Sequence, residues 1–533
     1  MDPAGMTDDT GTPTSAAPDE VLRFALRQGP LRGLLRDPLA VDEQARTTAT
    51  LPPRAARGPL GRPLPTGTWD LLAAADYPGG RAAAPRTSRA LPGHVLTAAF
   101  GLQRREPSNP ANDHRAVASV RSKFPVHVLA IGPDGAAGYL DVYRSALVDL
   151  DVDPAAVEPL RPEPGGVRIV LAARHTDLPT FYGILRCALA DLEVGINVRS
   201  LLVAAQLFGV PAGVEVGGPL PGAARDLLAA TGPGSWSAPV VATLRGLDPL
   251  PWSELLLGYL ADRYDPGIDA LLETESAHES LVESASVIAP RYHGVVAEAA
   301  DGDRQAPAPI VAVPAPAIPT LPPLPPARAG TDWSRVVWSR SAGRVPAGLT
   351  GFSARPATTD RGSVEELLAW AHMPAPEQRL REVGAAVTVH AVVQNTAGLE
   401  SGRYTAADGS LRLAEADASL PARLETAFGY PLTAANDCAV RHALSIWFFT
   451  VDLERLVEDL GPAAWGLLHV WCGWASHGLS IAAAAQGLFA RPARSFDEHF
   501  VTNLLRLPRE QCPVFMVICA RARYTEPMLD LRI

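Results

Sequence analysis

A long apolar segment, residues 180–218, stands out in the pattern of hydrophobic and polar positions along the chain. Its apolar side chains recur at helical spacing, which is typical of a helix packed into a core. Asp191 and Gly209 stand where an N-cap and a C-cap are expected. The pattern therefore predicts a buried helix over residues 191–209.

A second segment late in the chain, residues 471–500, repeats these features. Both segments place a glycine at the head of a helix rich in small residues, Ala-Ala pairs within it and a glycine at its exit. The two lie about 290 residues apart, which is far longer than the period of a solenoid repeat. Two related domains in one chain are the simpler explanation.

Further helices and strands are predicted on both sides of a proline-rich region. In the first half, the periodicity predicts a helix over residues 93–102, strands over 126–131 and 167–172, and a turn over 132–138. In the second half, it predicts helices over 364–371 and 465–489, strands over 385–393 and 512–523, and a turn over 398–404. Strands interleaved with helices indicate an α+β or α/β protein.

Composition divides the chain into four parts. Residues 1–64 are expected to form a disordered N-terminus and a helical appendage on the first domain, which covers residues 65–300. Residues 301–330 are rich in alternating prolines, which favours an extended linker over a recognition motif for a proline-binding domain. Residues 331–533 form the second domain. A chain of 533 residues is expected to hold about two to four domains.

Charge and cysteine usage exclude several function classes. The formal charge of -10 and the isoelectric point near 5.7 argue against a general nucleic-acid-binding protein. The polar, acidic N-terminus has no signal-peptide pattern, so a cytoplasmic location is expected. The five cysteines show no CxxC or Cys/His spacing, so neither a disulfide framework nor a metal site is indicated.

One uncharged run, residues 463–490, is long enough to raise the alternative of a membrane span. His469, Ser476, His477 and Gln486 interrupt this run, and its glycines suit a tightly packed helix. We therefore expect no membrane span in this part of the chain.

Several short segments recur in the same order in both halves. They are RTSRALPGHVL, HRAVASVRSKFPVHVLAI, GYLDVY and FYGILRCALADLEVGINVRSLLVAA in the first half, and WSRSAGR, GLESGRYTAADGSL and the chain from Trp471 onward in the second. Together these segments resemble the nitroreductase fold and, more narrowly, the SagB/McbC-type flavin dehydrogenases of azole-forming peptide maturation. The order is found twice, which indicates a tandem duplication.

The resemblance implies a particular architecture and cofactor. Proteins of this family are α+β, with a mixed antiparallel sheet flanked by helices, and they form homodimers with FMN at the subunit interface. A tandem chain of two nitroreductase-like domains would then be an intramolecular pseudo-dimer with one or two flavin sites. A further homodimer of the whole chain remains open.

Two clusters of arginine and serine suit the FMN phosphate. Guanidinium and hydroxyl groups offer charge-assisted donors to a group that carries nearly two negative charges. In an arginine-rich chain, the alternative is that these arginines are only solvated. The clusters are Arg86, Ser88 and Arg89 in the first half and Arg340, Ser341 and Arg344 in the second, and the second matches the family better.

Four further residues align with positions that contact the flavin in the resembling enzymes. Ser119 and Arg121 lie in the stretch that aligns with the flavin-contacting loop, and Glu193 and Gly195 align with a Glu-x-Gly turn beside N5. The alternative is that Glu193 is a first-turn carboxylate favoured by the helix dipole and that Gly195 is a packing glycine.

Lys123 and Tyr182 are the candidate catalytic residues. Lys123 is the one lysine among 47 basic residues, and a compact amine that can lose its proton cannot be replaced by arginine. Tyr182 aligns with the tyrosine of the Lys-Tyr pair of azoline dehydrogenases, but Phe181 stands where that pair has its lysine. The alternatives are chance survival for Lys123 and a helix-entry aromatic for Tyr182.

The resemblance therefore implies an FMN-dependent dehydrogenase that oxidises thiazoline or oxazoline rings to azoles in a ribosomally made peptide. A leader-bearing precursor peptide and a cyclodehydratase would be its partners. Two alternatives stay open: a non-catalytic scaffold of a biosynthetic complex, and an NAD(P)H-dependent nitroreductase. A P-loop is excluded because the lysine stands in RSKF, and His175–Asp177 is expected to be structural.

Overall fold

The computed structural model describes most of both halves of the chain. The described residues are 18–26, 52–56, 61–85, 88–106, 109–179, 182–232, 234–248, 331–343, 345, 351–427, 438–525 and 528–532. The predicted linker over residues 301–330, most of the N-terminal 64 residues, and Arg86, Phe181 and Arg344 lie outside them.

Helices of four to 23 residues are distributed over both halves. They are α1 (Pro18–Leu26), α2 (Thr68–Ala73), α3 (Leu91–Phe100), α4 (Pro154–Val157), α5 (Leu185–Leu207), α6 (Pro219–Ala230), α7 (Trp333–Ser339), α8 (Arg361–Ala371), α9 (Gln378–Ala386), α10 (Leu420–Ala427), α11 (Leu453–Leu460), α12 (Ala464–Ala485) and α13 (Glu498–Leu505).

The strands of the first half are β1 (Arg62–Pro63), β2 (Leu102–Glu106), β3 (Asn109–Arg115), β4 (Val126–Ile131), β5 (Ala137–Asp141), β6 (Ala146–Asp149), β7 (Val167–Ala173), β8 (Ala212–Glu215) and β9 (Val240–Leu244). Those of the second half are β10 (Ala354–Arg355), β11 (Thr359–Asp360), β12 (Thr388–Val393), β13 (Thr396–Ala397), β14 (Gly402–Ala407), β15 (Ser410–Ala416), β16 (Ser445–Asp452), β17 (Phe489–Ala493), β18 (Gln511–Ala522) and β19 (Leu529–Asp530).

Each half contributes one large antiparallel sheet, and the two sheets share a strand order. The first runs β1-β6-β5-β4-β7-β9-β8, and the second runs β10-β18-β16-β12-β14-β15 with β17 paired to β18. The two orders correspond when β4 is matched with β12 and β7 with β16. In each sheet a hairpin (β6-β5 or β15-β14) lies on one side of this central pair, and a late strand (β9 or β18) with an edge strand beside it lies on the other. In both halves the long helix, α5 or α12, follows the β7 or β16 position.

Both faces of each sheet are covered, which explains the nearly continuous apolar sequence of the central strands. Successive side chains of a strand point to opposite faces. In β7, Ile169 and Leu171 face a core that contains residues of both halves, whereas Val170 and Ala172 face a separate core under α6. In the second sheet, Phe448 belongs likewise to an outer core beneath α13. The α+β class with antiparallel sheets flanked by helices is thus confirmed.

The helices α5 and α12 cross in the shared core at a pair of glycines. A Cβ atom on Gly195 would lie 1.9 Å from the carbonyl oxygen of Val470, and one on Gly473 would lie 2.0 Å from that of Leu192. Each glycine therefore packs on the carbonyl three residues before the other glycine, as in a contact related by a two-fold axis. No other residue has a side chain small enough for this approach.

Both long helices also end in the same way. Gly209 and Gly487 follow their helices with φ of +68° and +66°. In each case the next amide bonds back to the fifth carbonyl before it, Val210 to Ala205 and Leu488 to Ala483. This is the Schellman arrangement, in which glycine is favoured because it adopts the left-handed conformation without strain. Gly209 thus ends the helix as predicted, one position after the C-cap Phe208.

Elements from each half lie on the other half. In α7, Trp333 donates its indole N–H to the carbonyl of Pro78 at 3.2 Å, and its ring contacts Tyr77 edge-on at 5.1 Å between centroids. The hydroxyl of Tyr77 donates to Glu366 at 2.6 Å. The C-terminal β19 pairs with β2 of the first half. The expected appendage is divided: α1 lies against α11 of the second half, whereas Ala55 lies on the first, where its N–H donates to the carbonyl of Thr231 at 3.0 Å.

Several predicted boundaries shift. The helix expected from Asp191 begins at Leu185, and Asp191 is buried inside it, because residues 185–190 are themselves good helix formers. The strand expected from residue 385 begins at Thr388 because α9 extends to Ala386. The central strand β16 has no counterpart among the predicted elements. None of the described helices is both long and apolar enough to cross a membrane.

Adding a methyl group at the crossing point should destabilise the protein. Gly473→Ala forces the new Cβ into the carbonyl of Leu192, so we expect the free energy of unfolding to fall by about 1–3 kcal/mol or more. The midpoint of urea denaturation measures this change. Gly222→Ala is the matched control, because Gly222 lies in α6 with open space around its Cβ position and alanine there should stabilise by ~0.5–1 kcal/mol. Equal midpoints for the two variants would contradict the crossing geometry.

Candidate functional site

A buried carboxylate on α5 holds the loop that precedes β4. Oε1 of Glu193 accepts hydrogen bonds from the hydroxyl of Ser119, at 2.9 Å, and from the backbone N–H of Val120. The hydroxyl oxygen of Ser119 in turn accepts from the N–H of Phe124 at 2.7 Å. Two residues predicted from sequence, Ser119 and Glu193, are thus in direct contact.

The same loop carries three non-glycine residues in the left-handed region. Arg121, Ser122 and Phe124 have φ of 53°, 55° and 49°. Such conformations cost of order 1 kcal/mol each in side chains other than glycine and persist where surrounding contacts impose them. The bonds to Glu193 and Ser119 are those contacts, so Glu193 fixes the loop that presents Arg121 and Lys123.

Burial raises the pKa of Glu193 to about 7. The bonds from Val120 and Ser119 and the charges of Arg115 and Arg340 oppose this shift but do not cancel it. Oε2 of Glu193 is buried without a hydrogen-bond partner. Near neutral pH this carboxyl can therefore hold or release a proton.

Arg340 brings a cation from the second half into this group. It follows the last residue of α7 and is 5% exposed. Its Nη2 donates to the backbone carbonyl of Arg115 at 3.0 Å, and its own carbonyl accepts from Nη2 of Arg104 at 2.9 Å. Arg104 and Arg115 belong to the first half, and the charge of Arg340 also acts on Glu193, the partner of Ser119. Arg340 therefore lies with Ser119 and Glu193 across the boundary between the halves.

Lys123 is half-buried on the loop before β4. Burial, and next the charge of Arg121, lower the pKa of its amine, while Asp177 partly offsets them. Asp177 also accepts from Nε2 of His127 at 2.8 Å and from Nε of Arg174 at 3.0 Å. Burial alone would raise the pKa of Asp177, but Arg174 and His127 together lower it, so it is a carboxylate.

The remaining candidates lie elsewhere or have other contacts. Ser88 and Arg89 are on an exposed turn, and the hydroxyl of Ser88 donates to the carboxylate of Asp248. That carboxylate would repel a phosphate. Ser341 joins α7 to β17, since its carbonyl accepts from the N–H of Ala490 at 3.1 Å. Tyr182 is half-buried just before α5.

The turn expected at Glu193 and Gly195 is absent, which corrects the assignment of Gly195. Both residues lie in the middle of α5, and Gly195 packs on the backbone of α12. Its N–H belongs to the helical hydrogen-bond ladder. Gly195 is therefore the packing glycine of the alternative interpretation, while Glu193 is a mid-helix residue rather than a first-turn carboxylate.

Sequence reasoning assigned no role to four polar residues: the half-buried Arg115 and the buried His127, Arg199 and His477. The last two are 0% and 3% exposed on α5 and α12. A charged or titratable residue within an otherwise apolar helix is the signal that could have identified them, because such residues are almost never buried without a specific environment.

Comparisons with known proteins show the fold. No family model matches the chain, and no curated protein matches it significantly. The structure of a candidate nitroreductase from Anabaena variabilis is similar over 91% of this chain and 99% of that chain, with 13% sequence identity and a TM-score of 0.54. The chain therefore has the nitroreductase fold.

Two other solved structures match only part of the chain. The E. coli microcin synthetase McbBCD complex with truncated pro-MccB17 bound matches over 34% of this chain and 71% of that chain, at 13% identity and a TM-score of 0.27. A candidate nitroreductase from Ralstonia eutropha matches over 36% and 83%, at 16% identity and a TM-score of 0.26. Scores this low carry no argument, so the fold rests on the first match.

The buried group at the boundary fits the anionic and hydrogen-bonding parts of a flavin mononucleotide. Oε2 of Glu193 and Nε of Arg115 are buried polar atoms without hydrogen-bond partners. Such atoms are costly unless a ligand or water satisfies them. Arginine guanidinium groups are also suitable donors for a phosphate. The exposed cluster at Ser88 and Asp248 does not fit a phosphate.

The titration of Glu193 should be visible in stability. Because its pKa rises from 4.5 to about 7 on folding, the protonated form is favoured in the folded protein. Its contribution is fully present below pH 4.5 and is lost as the pH rises to about 7, by on the order of 3 kcal/mol. Glu193→Gln keeps an acceptor for Ser119 and Val120 but cannot titrate.

Urea denaturation of the wild type and Glu193→Gln at pH 5 and pH 7.5 measures the effect. We expect the wild type to lose stability relative to the variant between pH 5 and pH 7.5. Taking the difference between the two proteins removes the contribution of all other titrating groups. A constant difference between the two proteins would mean that Glu193 titrates normally.

Proposed function

We propose that this protein is an FMN-dependent oxidoreductase in which two nitroreductase-like domains, derived by tandem duplication, form an intramolecular pseudo-dimer. The cofactor site lies between the halves, at the group formed by Arg340, Glu193 and Ser119. The proposed finer activity is the oxidation of thiazoline or oxazoline rings to azoles in a ribosomally made peptide.

The pseudo-dimer is supported by three observations. The two sheets share one strand order. The long helices pack on each other through Gly195 and Gly473 with reciprocal geometry. Elements are exchanged between the halves, with α7 and β19 of the second half lying on the first. A closed two-fold contact between like surfaces has these properties.

The position of Arg340 is the observation that carries the cofactor proposal. This arginine belongs to the better-matching phosphate cluster, and it lies beside Arg115 and Glu193, which belong to the other half. Arg340 and Glu193, about 150 positions apart in sequence and both predicted for one cofactor, thus meet across the boundary. In the proposal, Arg340 and Arg115 bind anionic groups of FMN, and Glu193 orders the loop around Ser119.

The flavin would supply the redox chemistry, by accepting a hydride from the substrate carbon. The chain supplies a base and its environment. Lys123, with its pKa lowered by burial, more readily holds the neutral amine that removes the neighbouring proton. Asp177, held by Arg174 and His127, favours the charged form and so sets how far the amine is deprotonated. Tyr182 remains the second proposed catalytic residue.

The peptide substrate and a cyclodehydratase partner are proposed from the sequence resemblance. A non-catalytic scaffold and an NAD(P)H-dependent nitroreductase are the competing functions. They predict different behaviour of the purified protein: a scaffold without a cofactor takes up no FMN, whereas a nitroreductase bleaches its flavin with NADPH alone.

Flavin binding tests the cofactor proposal. We expect the purified protein to be yellow or to bind added FMN, and Arg340→Gln to weaken binding at least about tenfold, because a charge-assisted contact contributes ~1.5–3 kcal/mol. Fluorescence quenching of FMN measures the affinity. Arg412→Gln is the control, since Arg412 is 67% exposed and pairs with Asp408 on a hairpin. A wild-type protein that takes up no FMN would contradict the proposal.

Turnover of an azoline-containing peptide tests the role of Lys123. We expect Lys123→Ala and Lys123→Arg to lower kcat by ~10²–10⁴, because a guanidinium cannot act as a base, while FMN affinity stays unchanged. The wild-type rate should rise with pH and level off at a pH below the usual lysine pKa, because burial lowers the pKa of Lys123. Full activity in Lys123→Arg would contradict the assignment of Lys123 as the base. Flavin bleaching by NADPH without turnover of the peptide would favour the nitroreductase alternative.

A further inference from the structure

A small cavity of about 20 Å³ lies between the halves, close to the helix crossing. On the usual measure this is room for about one water molecule or one small ion. Side chains of α2, α3, α5, α7 and α12 line it. Most of the wall is apolar, as at Leu72, Trp333 and Ile481, and Arg340 and His477 are its titratable members.

His477 is a buried polar side chain that faces this cavity. It is 3% exposed, and its Nδ1 has no hydrogen-bond partner. Burial, and next the guanidinium groups of Arg199 and Arg340, hold the pKa of His477 well below its ordinary value. Both charged neighbours that act on the imidazole are therefore cations. Arg340 also acts on the carboxyl of Glu193.

The reciprocal packing of Gly195 and Gly473 makes Arg199 and His477 equivalent, since each lies four residues after its glycine. Arg199 fills its side of the crossing. Its Nη1 and Nη2 donate to the carbonyls of Trp474 and Trp370 at 2.7 and 2.6 Å. Its guanidinium also lies 4.8 and 5.5 Å from the centroids of these two rings. The imidazole of His477 is shorter than an arginine side chain, so the equivalent place on the other side is not filled and forms the cavity.

The charge on Arg199 has no carboxylate partner among the described residues. The side chain is 0% exposed, its hydrogen bonds go to neutral carbonyls, and burial lowers its pKa to about 9. A buried cation is costly without an opposite charge nearby. The cavity beside His477 therefore has a positive potential, and it is too small for a polyatomic dianion.

We propose that this cavity binds a small monovalent anion of the size of chloride or bromide, between the guanidinium of Arg340 and the imidazole of His477. The anion offsets the buried positive charge of Arg199 and gives Nδ1 of His477 a partner. It stabilises the contact between the halves, and it is separate from the proposed flavin.

Thermal denaturation at constant ionic strength tests the site. Sodium bromide replaces sodium gluconate, whose anion is too large for the cavity, and flavin content is measured in each sample. We expect the wild-type midpoint to rise with the logarithm of bromide concentration, because an ion that binds the folded state stabilises it by mass action. His477→Leu should raise the dissociation constant for bromide at least tenfold. His390→Leu, which removes a buried histidine on β12, should leave it unchanged.

Crystals soaked in bromide provide a second readout, with an anomalous peak expected between Arg340 and His477. If His477→Leu does not fold, Ile481→Phe, which fills the cavity from α12, should abolish the bromide effect. Equal midpoints in bromide and gluconate, or an unchanged bromide constant in Ile481→Phe, would overturn the proposal. So would displacement of bromide by FMN, because the cavity would then belong to the flavin site. Absence of flavin from the protein leaves this result unaffected.

Discussion

The contact of α5 with α12 through two glycines is the constraint on which the rest of the structure depends. Gly195 and Gly473 bring two helical backbones together so closely that neither position has space for a methyl group. Because this approach is reciprocal, it sets the relation between the two sheets, and the apolar faces of both sheets close on one shared core. The outer cores beneath α6 and α13 are local to each half.

The candidate site depends on the same contact. Once the halves are locked together, Arg340 at the end of α7 lies beside Arg115 and Glu193 of the other half. No single half contains the whole group: Ser119 and Val120 bond to Glu193 within the first half, whereas Arg340 comes from the second. The bonds of Arg340 raise the cost of separating the halves, because separation leaves the buried groups at both ends of those bonds without partners.

The two halves share their strand order but differ in chemistry at the crossing. Arg199 fills one of two equivalent places with a guanidinium that contacts two tryptophan rings, while a cavity lies beside His477 in the other. A single chain allows such divergence, because each half carries its own residues, whereas a homodimer would place the same residue on both sides. One half can therefore keep a binding site while the other becomes structural.

The apolar periodicity of the sequence determined the long helices, the strand Val126–Ile131 and the α+β class, because these depend on local spacing and on burial of one face or of both. The repeat of small residues and glycines at residues 471–500 indicated two related halves. Glu193 and Arg340 were identified as polar residues of interest, but their proximity was not visible, because about 150 residues separate them and loop geometry is not encoded in periodicity.

Only the tertiary structure decided the roles of Gly195, Arg199 and His477. Gly195 is read from sequence as a turn residue, yet it packs against a helix from the other half. Arg199 and His477 appear in the sequence as isolated polar residues in apolar helices, and their environment is set by groups hundreds of positions away. A sequence specifies which residues are apolar and how they repeat, whereas the electrostatics of a buried group depends on every element packed around it.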